Sequence, residues 1–323
     1  MRNDGRILSI PNSSLLIPNL FLTLYGIYDK IKMVNYILKD VKILECVFKD
    51  SAEVCENIIY PVSAGAGLYS ENDIVLSMRD DTGENISKKN PSYCELTVQY
   101  WAWKNLKCDV CGIFHQRRFL DFSGKNKKYP YRIAEKSDEK TLQKAGLSYE
   151  KICELSDSYS IIANRRENLF ESVEDFYNRN DRQKFDDIGL IKDIIKEKYP
   201  EYFPSAEKYF KGTYSYFCNV FIMDKINFDR YSEWLFDILF EYEKIKPKEL
   251  FYPREMGKLG ERLFGVYMYY IMDKTDISYA EFPRLHFSSV NGTTLKNLSF
   301  SKFFYHICPP NTRRRAFMRK LKK

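Results

Sequence analysis

From Lys42 onward the chain alternates short apolar runs with segments of helical periodicity, and no other feature constrains its fold as strongly. This alternation is the pattern of an α/β domain, in which helices cover strands buried on both faces. The best-marked unit opens at Ser92, which with Glu95 three residues later has the form of a capping box and predicts a helix over residues 93–107. Leu96, Tyr100, Trp101 and Trp103 give that helix a wide apolar face, and Lys104 and Lys107 suit its C-terminal end. The apolar run from Cys108 to Phe114 follows as a buried strand, and its carboxyl end delivers His115, Gln116, Arg117 and Arg118. Open α/β sheets bind ligands beyond the carboxyl ends of their strands, so this polar quartet is the first candidate site.

A second unit pairs an apolar strand over residues 216–223, interrupted by Asn219, with a helix over 228–246. A third helix, predicted over 260–272, carries Glu261 and Arg262 in its first turn. Residues 123–215 are lysine-rich, charged and mostly helical in pattern, and read as an insertion that shapes a cleft. Most of the Tyr, Phe and Trp rings, 16% of the chain, read as core.

Charge excludes one class of partner. Of 51 basic side chains seven lie in the last thirteen residues, and the other 44 balance the 44 acidic ones. A nucleic-acid module needs a basic face on its fold, whereas a basic tail alone suits an acidic partner or an anionic membrane surface. Eight cysteines without a regular framework read as thiols in a reducing compartment, which places the chain in the cytoplasm. Cys108 and Cys111 have zinc-ribbon spacing, but no second such pair exists and the chain has three histidines, so they read as small apolar residues and no metal is expected. The apolar stretch 15–28 is interrupted by Pro18 and Asn19, is too short to span a bilayer, and has no small-residue cleavage site after it. The expected organisation is an extension over 1–41, one α/β domain over 42–275 and a C-terminal segment over 276–323 ending in the basic tail.

The motifs of dinucleotide-binding, P-loop, α/β-hydrolase and zincin proteins are all absent. What the residues do carry is a resemblance. The run Arg79 to Ser87, which contains Asp80-Asp81, the run Tyr93 to Asn105, and the run Gly112 to Phe119 resemble the family of bacterial capsular and exopolysaccharide glycosyltransferases first catalogued as DUF4422. The segments 217–223, 233–239 and 259–264 match the same family in the same order. Two departures stand out: Gln116 replaces the tyrosine of the family's HYRR motif, and the opening strand lacks the family's terminal histidine.

The resemblance implies a GT-A-like, mixed-sheet, nucleotide-sugar-dependent transferase acting on a lipid-linked oligosaccharide, peripheral on the inner face of the cell membrane. The residues can be read for that task directly. Sugar transfer builds negative charge on the leaving diphosphate, and a cation must meet it. No two aspartates are two positions apart, so a metal-binding Asp-x-Asp is missing; Arg117 and Arg118 stand in its place, and guanidinium forks match phosphate oxygens bidentately. The competing role for either arginine is a pair with Asp121 or Glu95. His115 is grouped with them as donor-binding. Asp80 and Asp81 hold ribose or acceptor hydroxyls, or merely shape a turn. Glu261 is the candidate base for the acceptor hydroxyl, or else a helix-dipole partner, with Asn219 and Arg262 lining the cleft. The rival functional class is a transferase-like fold without turnover that binds glycan or assembles other enzymes.

Overall fold

The computed structural model describes residues 39–48, 58–70, 76, 78–126, 128–181, 185–290, 293–294 and 298–321. The chain divides into two units between Lys39 and Asp40. The expected N-terminal extension lies almost wholly outside the described residues, and the elements below all belong to the second unit.

Twelve strands are described: β1 Val41–Val47, β2 Ile59–Ser63, β3 Val110–His115, β4 Arg118–Leu120, β5 Tyr131–Lys136, β6 Ile161–Asn164, β7 Glu167–Asn168, β8 Tyr214–Ser215, β9 Phe221–Asp224, β10 Tyr279–Phe282, β11 Arg284–Val290 and β12 Thr293–Thr294. Six of them form the main sheet in the order β2-β1-β3-β9-β6-β10, in which only β9 runs antiparallel to its neighbours. At the tip of β3, His115 pairs with Arg118, and the sheet turns there into an annex of β4, β11, β5 and β12. The mixed α/β architecture expected from the alternating pattern is what the chain adopts.

Eleven helices are described: α1 Asn90–Tyr93, α2 Leu96–Asn105, α3 Glu139–Lys144, α4 Tyr149–Ser158, α5 Val173–Asp181, α6 Asp187–Lys198, α7 Phe203–Lys211, α8 Lys225–Ile245, α9 Glu255–Lys274, α10 Leu298–Ile307 and α11 Arg313–Leu321. The largest apolar core is shared by α2, α6, α7, α8 and α9 with β1, β3 and β9. Asp224 caps α8 by accepting the amide hydrogen of Asn227 at 2.8 Å. Gly265 lets α9 approach α7 closely, since a Cβ there would lie 2.1 Å from the Tyr209 ring.

Five local expectations are corrected. The helix over 93–107 is broken at Cys94, which has φ 50°, and α2 begins at Leu96. The capping box is therefore not formed: Ser92 lies inside α1 and Glu95 turns into the interior. The strand over 216–223 shrinks to Phe221–Asp224 because Cys218 and Asn219 adopt left-handed φ of 74° and 44°. The helix over 260–272 begins at Glu255, which moves Glu261 from the first turn to the second. Finally, residues 123–215 are not an insertion, because β6, buried at all four positions, lies inside the main sheet between β9 and β10.

Candidate active site

The polar quartet lies where the carboxyl ends of β1 and β3 meet. A cavity of about 350 Å³ opens there, lined among others by Asn90, Cys94, His115, Gln116, Arg117 and Arg254. Gln116 joins the two strand ends: its Oε1 accepts the Phe48 amide at 3.2 Å and its own amide donates to the Cys46 carbonyl. The His115 ring lies 5.5 Å from that of Phe48, and its buried Nδ1 has no hydrogen-bond partner. Burial, then the charges of Arg118, Arg117 and Arg254, push its pKa down to about 3. His115 is therefore neutral at physiological pH and serves as a polar wall rather than a cation.

Arg117 and Arg118 have no carboxylate within ion-pairing distance among the described residues. Asp121 pairs with Arg132, and Glu95 accepts from Asn219, so the competing role for the two arginines is not realised. Arg118 donates to the Arg117 carbonyl at 2.8 Å, and its burial, above all, lowers its pKa from the usual arginine value. The Nε of Arg117 is buried without a partner. Arg254 joins them from the start of α9, held in a left-handed conformation at φ 65° with its amide donating to the Pro91 carbonyl. Guanidiniums without carboxylate partners beside a cavity have the chemistry to meet an anion, and the N-terminus of α9, where Arg254 sits, adds its dipole to theirs.

Two carboxylates, Glu95 and Glu261, lie near enough to Arg254 for their charges, after its contact with Cys94, to raise its pKa. Glu95 is 6% exposed, and its Oε1 accepts the Asn219 side-chain amide at 2.8 Å, while the same amide reaches the Gly257 carbonyl at 3.2 Å. Burial first, and then the charge of Glu261, push the pKa of Glu95 up to about 7. Glu261 accepts the Cys218 amide at 2.6 Å and Arg262 at 2.8 Å. Arg262 also donates to the Tyr216 carbonyl at 3.0 Å and is 3% exposed, so it orients Glu261 from behind rather than lining the cleft. The second-turn position of Glu261 removes the helix-dipole role: Glu255 occupies the first turn, buried in an ion pair with Lys246.

The structure separates Asp80 and Asp81 from this group. Both oxygens of the fully buried Asp80 are used inside the fold, accepting from the amides of Gly65 and Ala66 and from the Ser87 hydroxyl, so a donor-binding role does not fit it. Asp81 is paired with Arg79 at 2.6 Å, which lowers its pKa, and faces a second cavity of about 450 Å³ with Asn85 and Lys88. Among the described residues no group of three or more His, Cys, Asp or Glu could hold a metal ion. Glu95 and Arg254 escaped the sequence reading, the first because its spacing from Ser92 mimics a capping box.

A comparison with curated proteins finds no match. Among solved structures the chain is similar to one described as the apo structure of the WbbM bifunctional glycosyltransferase, with a TM-score of 0.72 and 32% identity. That match covers 78% of this chain and 46% of WbbM, so the chain corresponds to less than half of that protein. The family model described as a domain of unknown function, DUF4422, matches residues 42–273, which include the strand tip, the Glu95 turn and Glu261. The chain belongs to the DUF4422 family.

Proposed function

We propose that this chain is a glycosyltransferase that moves a hexosyl group from a nucleotide-sugar donor to a lipid-linked oligosaccharide during capsular, exopolysaccharide or O-antigen synthesis. One observation carries the reading: Arg117 and Arg254 line a cavity at the carboxyl end of β3 without carboxylate partners, with Arg118 buried next to them, in a fold similar to that of a glycosyltransferase. In this reading the guanidiniums receive the donor diphosphate, and their fixed charge grows in value as the leaving group departs, because they need no reorganisation when the negative charge develops. They supply what a divalent metal would otherwise supply, and the transfer is metal-independent. Glu261, held by Cys218 and Arg262, accepts the proton of the acceptor hydroxyl, while Glu95 behind it holds or releases a proton near neutrality.

The acceptor side is read from the C-terminus. From residue 282 onward the chain has no acidic residue. The helices α10 and α11 expose Phe303, Ile307, Phe317 and Leu321 beside the exposed Arg313 and Lys320. Apolar rings among cations suit the headgroup region of an anionic bilayer, where a lipid-linked acceptor resides. No helix among the described residues is long and apolar enough to cross a membrane. The reading is a peripheral enzyme on the cytoplasmic leaflet.

The test is a thermal-shift and transfer screen of nucleotide sugars with and without EDTA. A donor that raises the melting temperature in EDTA is expected, and Arg117→Ala should lower turnover about 10²–10³-fold, the scale of removing one preorganised charge-stabilising donor. Activity abolished by EDTA and restored by Mn²⁺ or Mg²⁺ would overturn metal independence; no binding of any nucleotide sugar would overturn the transferase reading itself.

A further inference from the structure

The C-terminal basic helix is joined to the carboxylate side of the site by an unbroken chain of polar contacts. Arg319 of α11 donates to Glu167 Oε2 at 2.9 Å. The other oxygen of Glu167 accepts from Arg284, which is 1% exposed. Arg284 in turn donates to the Cys218 sulfur at 3.2 Å, and the Cys218 amide donates to Glu261 Oε1 at 2.6 Å. Two further features place the load of these contacts on the Cys218 turn. Glu167 in β7 pairs with Ser215 in β8, immediately before that turn, and Cys218 and Asn219 are both left-handed without being glycine. Such conformations persist only where their surroundings hold them. A second strut runs alongside, since the Asn168 amide donates at 2.8 Å to the side chain of Asn311, in the link between α10 and α11.

We propose that Arg319 is a positioning residue for the transfer site: through Glu167 and Arg284 it holds the Cys218 turn, and with it the orientation of Glu261, so the basic C-terminal helix is part of the site it was expected only to tether. Glu167 is shared between two guanidiniums, and charge-assisted bonds of this kind are the stronger ones in a protein interior. Removing Arg319 leaves Arg284 in place but frees one oxygen of Glu167 to rotate away from β8. Arg319 is itself partly exposed, so its substitution does not empty the core. The kinetic arm of this inference rests on the transferase reading; its structural arm does not.

The experiment is hydrogen exchange of the full chain at residues 216–220, in the wild type, Arg319→Met, Arg319→Lys and Arg314→Ala, followed by sugar-transfer kinetics of the same proteins. Methionine keeps the apolar stem near the Phe176 ring and removes the charge, so exchange of the turn should speed up about tenfold, as for loss of one charge-assisted bond in a locally opening segment. Lysine should restore the slow exchange, and Arg314→Ala, which removes a cation outside the chain of contacts, should leave it at the wild-type rate. In the kinetic arm Arg319→Met should lower kcat/KM and Arg319→Lys should restore it, since the Cys218 turn touches both the proton-accepting carboxylate and Arg118. Wild-type exchange in Arg319→Met, or equal acceleration in Arg314→Ala, overturns the proposal. A wild-type protein that transfers no sugar overturns the transferase reading, and the exchange result still decides the role of Arg319.

Discussion

Replacing Glu95 by glutamine should make the protein more stable at alkaline pH and leave it nearly unchanged at acid pH. The folded state raises the Glu95 pKa from 4.5 to about 7, because burial and the neighbouring charge of Glu261 both disfavour the ionised form. Tenfold in proton affinity is about 1.4 kcal/mol, so this rise corresponds to about 3 kcal/mol. Its sign follows from which state binds the proton more tightly. Between pH 4.5 and about 7 the folded chain keeps a proton that the unfolded chain has released, so stability falls as pH rises through that window and the full loss is present above it. Glutamine removes the titration but keeps an oxygen for the Asn219 amide, which Glu95 accepts at 2.8 Å. Urea unfolding of both proteins at pH 5 and pH 8.5 reads the difference. The variant should match the wild type within about 1 kcal/mol at pH 5 and exceed it by about 3 kcal/mol at pH 8.5. A stability difference that does not change between the two pH values would refute the argument that Glu95 is forced to ionise in a hostile site.

Other perturbations test other parts. Glu261→Gln should fold and bind donor but transfer sugar at least about 10²-fold more slowly, the scale of losing a general base, as measured in single-turnover assays. Lys246→Met leaves Asp187 and Glu255 buried without their shared cation and should cost about 3–5 kcal/mol in urea unfolding at pH 7. Reversing two tail charges, Arg313→Glu with Arg314→Glu, should weaken co-sedimentation with phosphatidylglycerol vesicles about thirtyfold or more, since each basic residue near the headgroups contributes about 1 kcal/mol. Unchanged binding at low salt would remove α11 from the membrane contact.

The sequence exposed those parts of the site whose local pattern and tertiary role agree. The run expected as a strand over 108–114 is buried from Val110 to Phe114, its first two residues staying outside the strand, and the quartet after it stands at the strand tip where an α/β sheet offers it. Reading failed where tertiary contacts override local preference. Residues 93–95 contain neither glycine nor proline, so nothing in them announces the reversal at Cys94; it is held by α9, where the Gly257 position leaves only 3.1 Å between a Cβ and the Cys94 side chain. Arg254, following Pro253, looks like an ordinary charge before a helix. The strand β6 is hidden for a different reason. Four residues suffice for a strand in the middle of this sheet, and so short a run between charged neighbours carries little periodicity.

Backbone geometry ties these failures together. Six non-glycine residues among those described have positive φ, and four of them belong to the candidate site: Cys94 and Arg254 line the cavity, and Cys218 and Asn219 hold Glu261 and Glu95. Each such conformation costs about 1–3 kcal/mol, and each sets a group of the candidate site: Cys94 turns Glu95 inward, Cys218 presents its amide to Glu261, Asn219 fixes Glu95, and Arg254 brings a second guanidinium to the cavity lining. A chain with glycine at these positions would adopt the same turns with less strain, but it would lose the Asn219 and Arg254 side chains that do the holding. The strain is offset by the packing of α9 against the Cys94 turn and by the contacts that reach Cys218 from Arg284 and Glu167. Sequence patterns report where a chain is locally comfortable, and at this cleft the groups that matter are held where it is not.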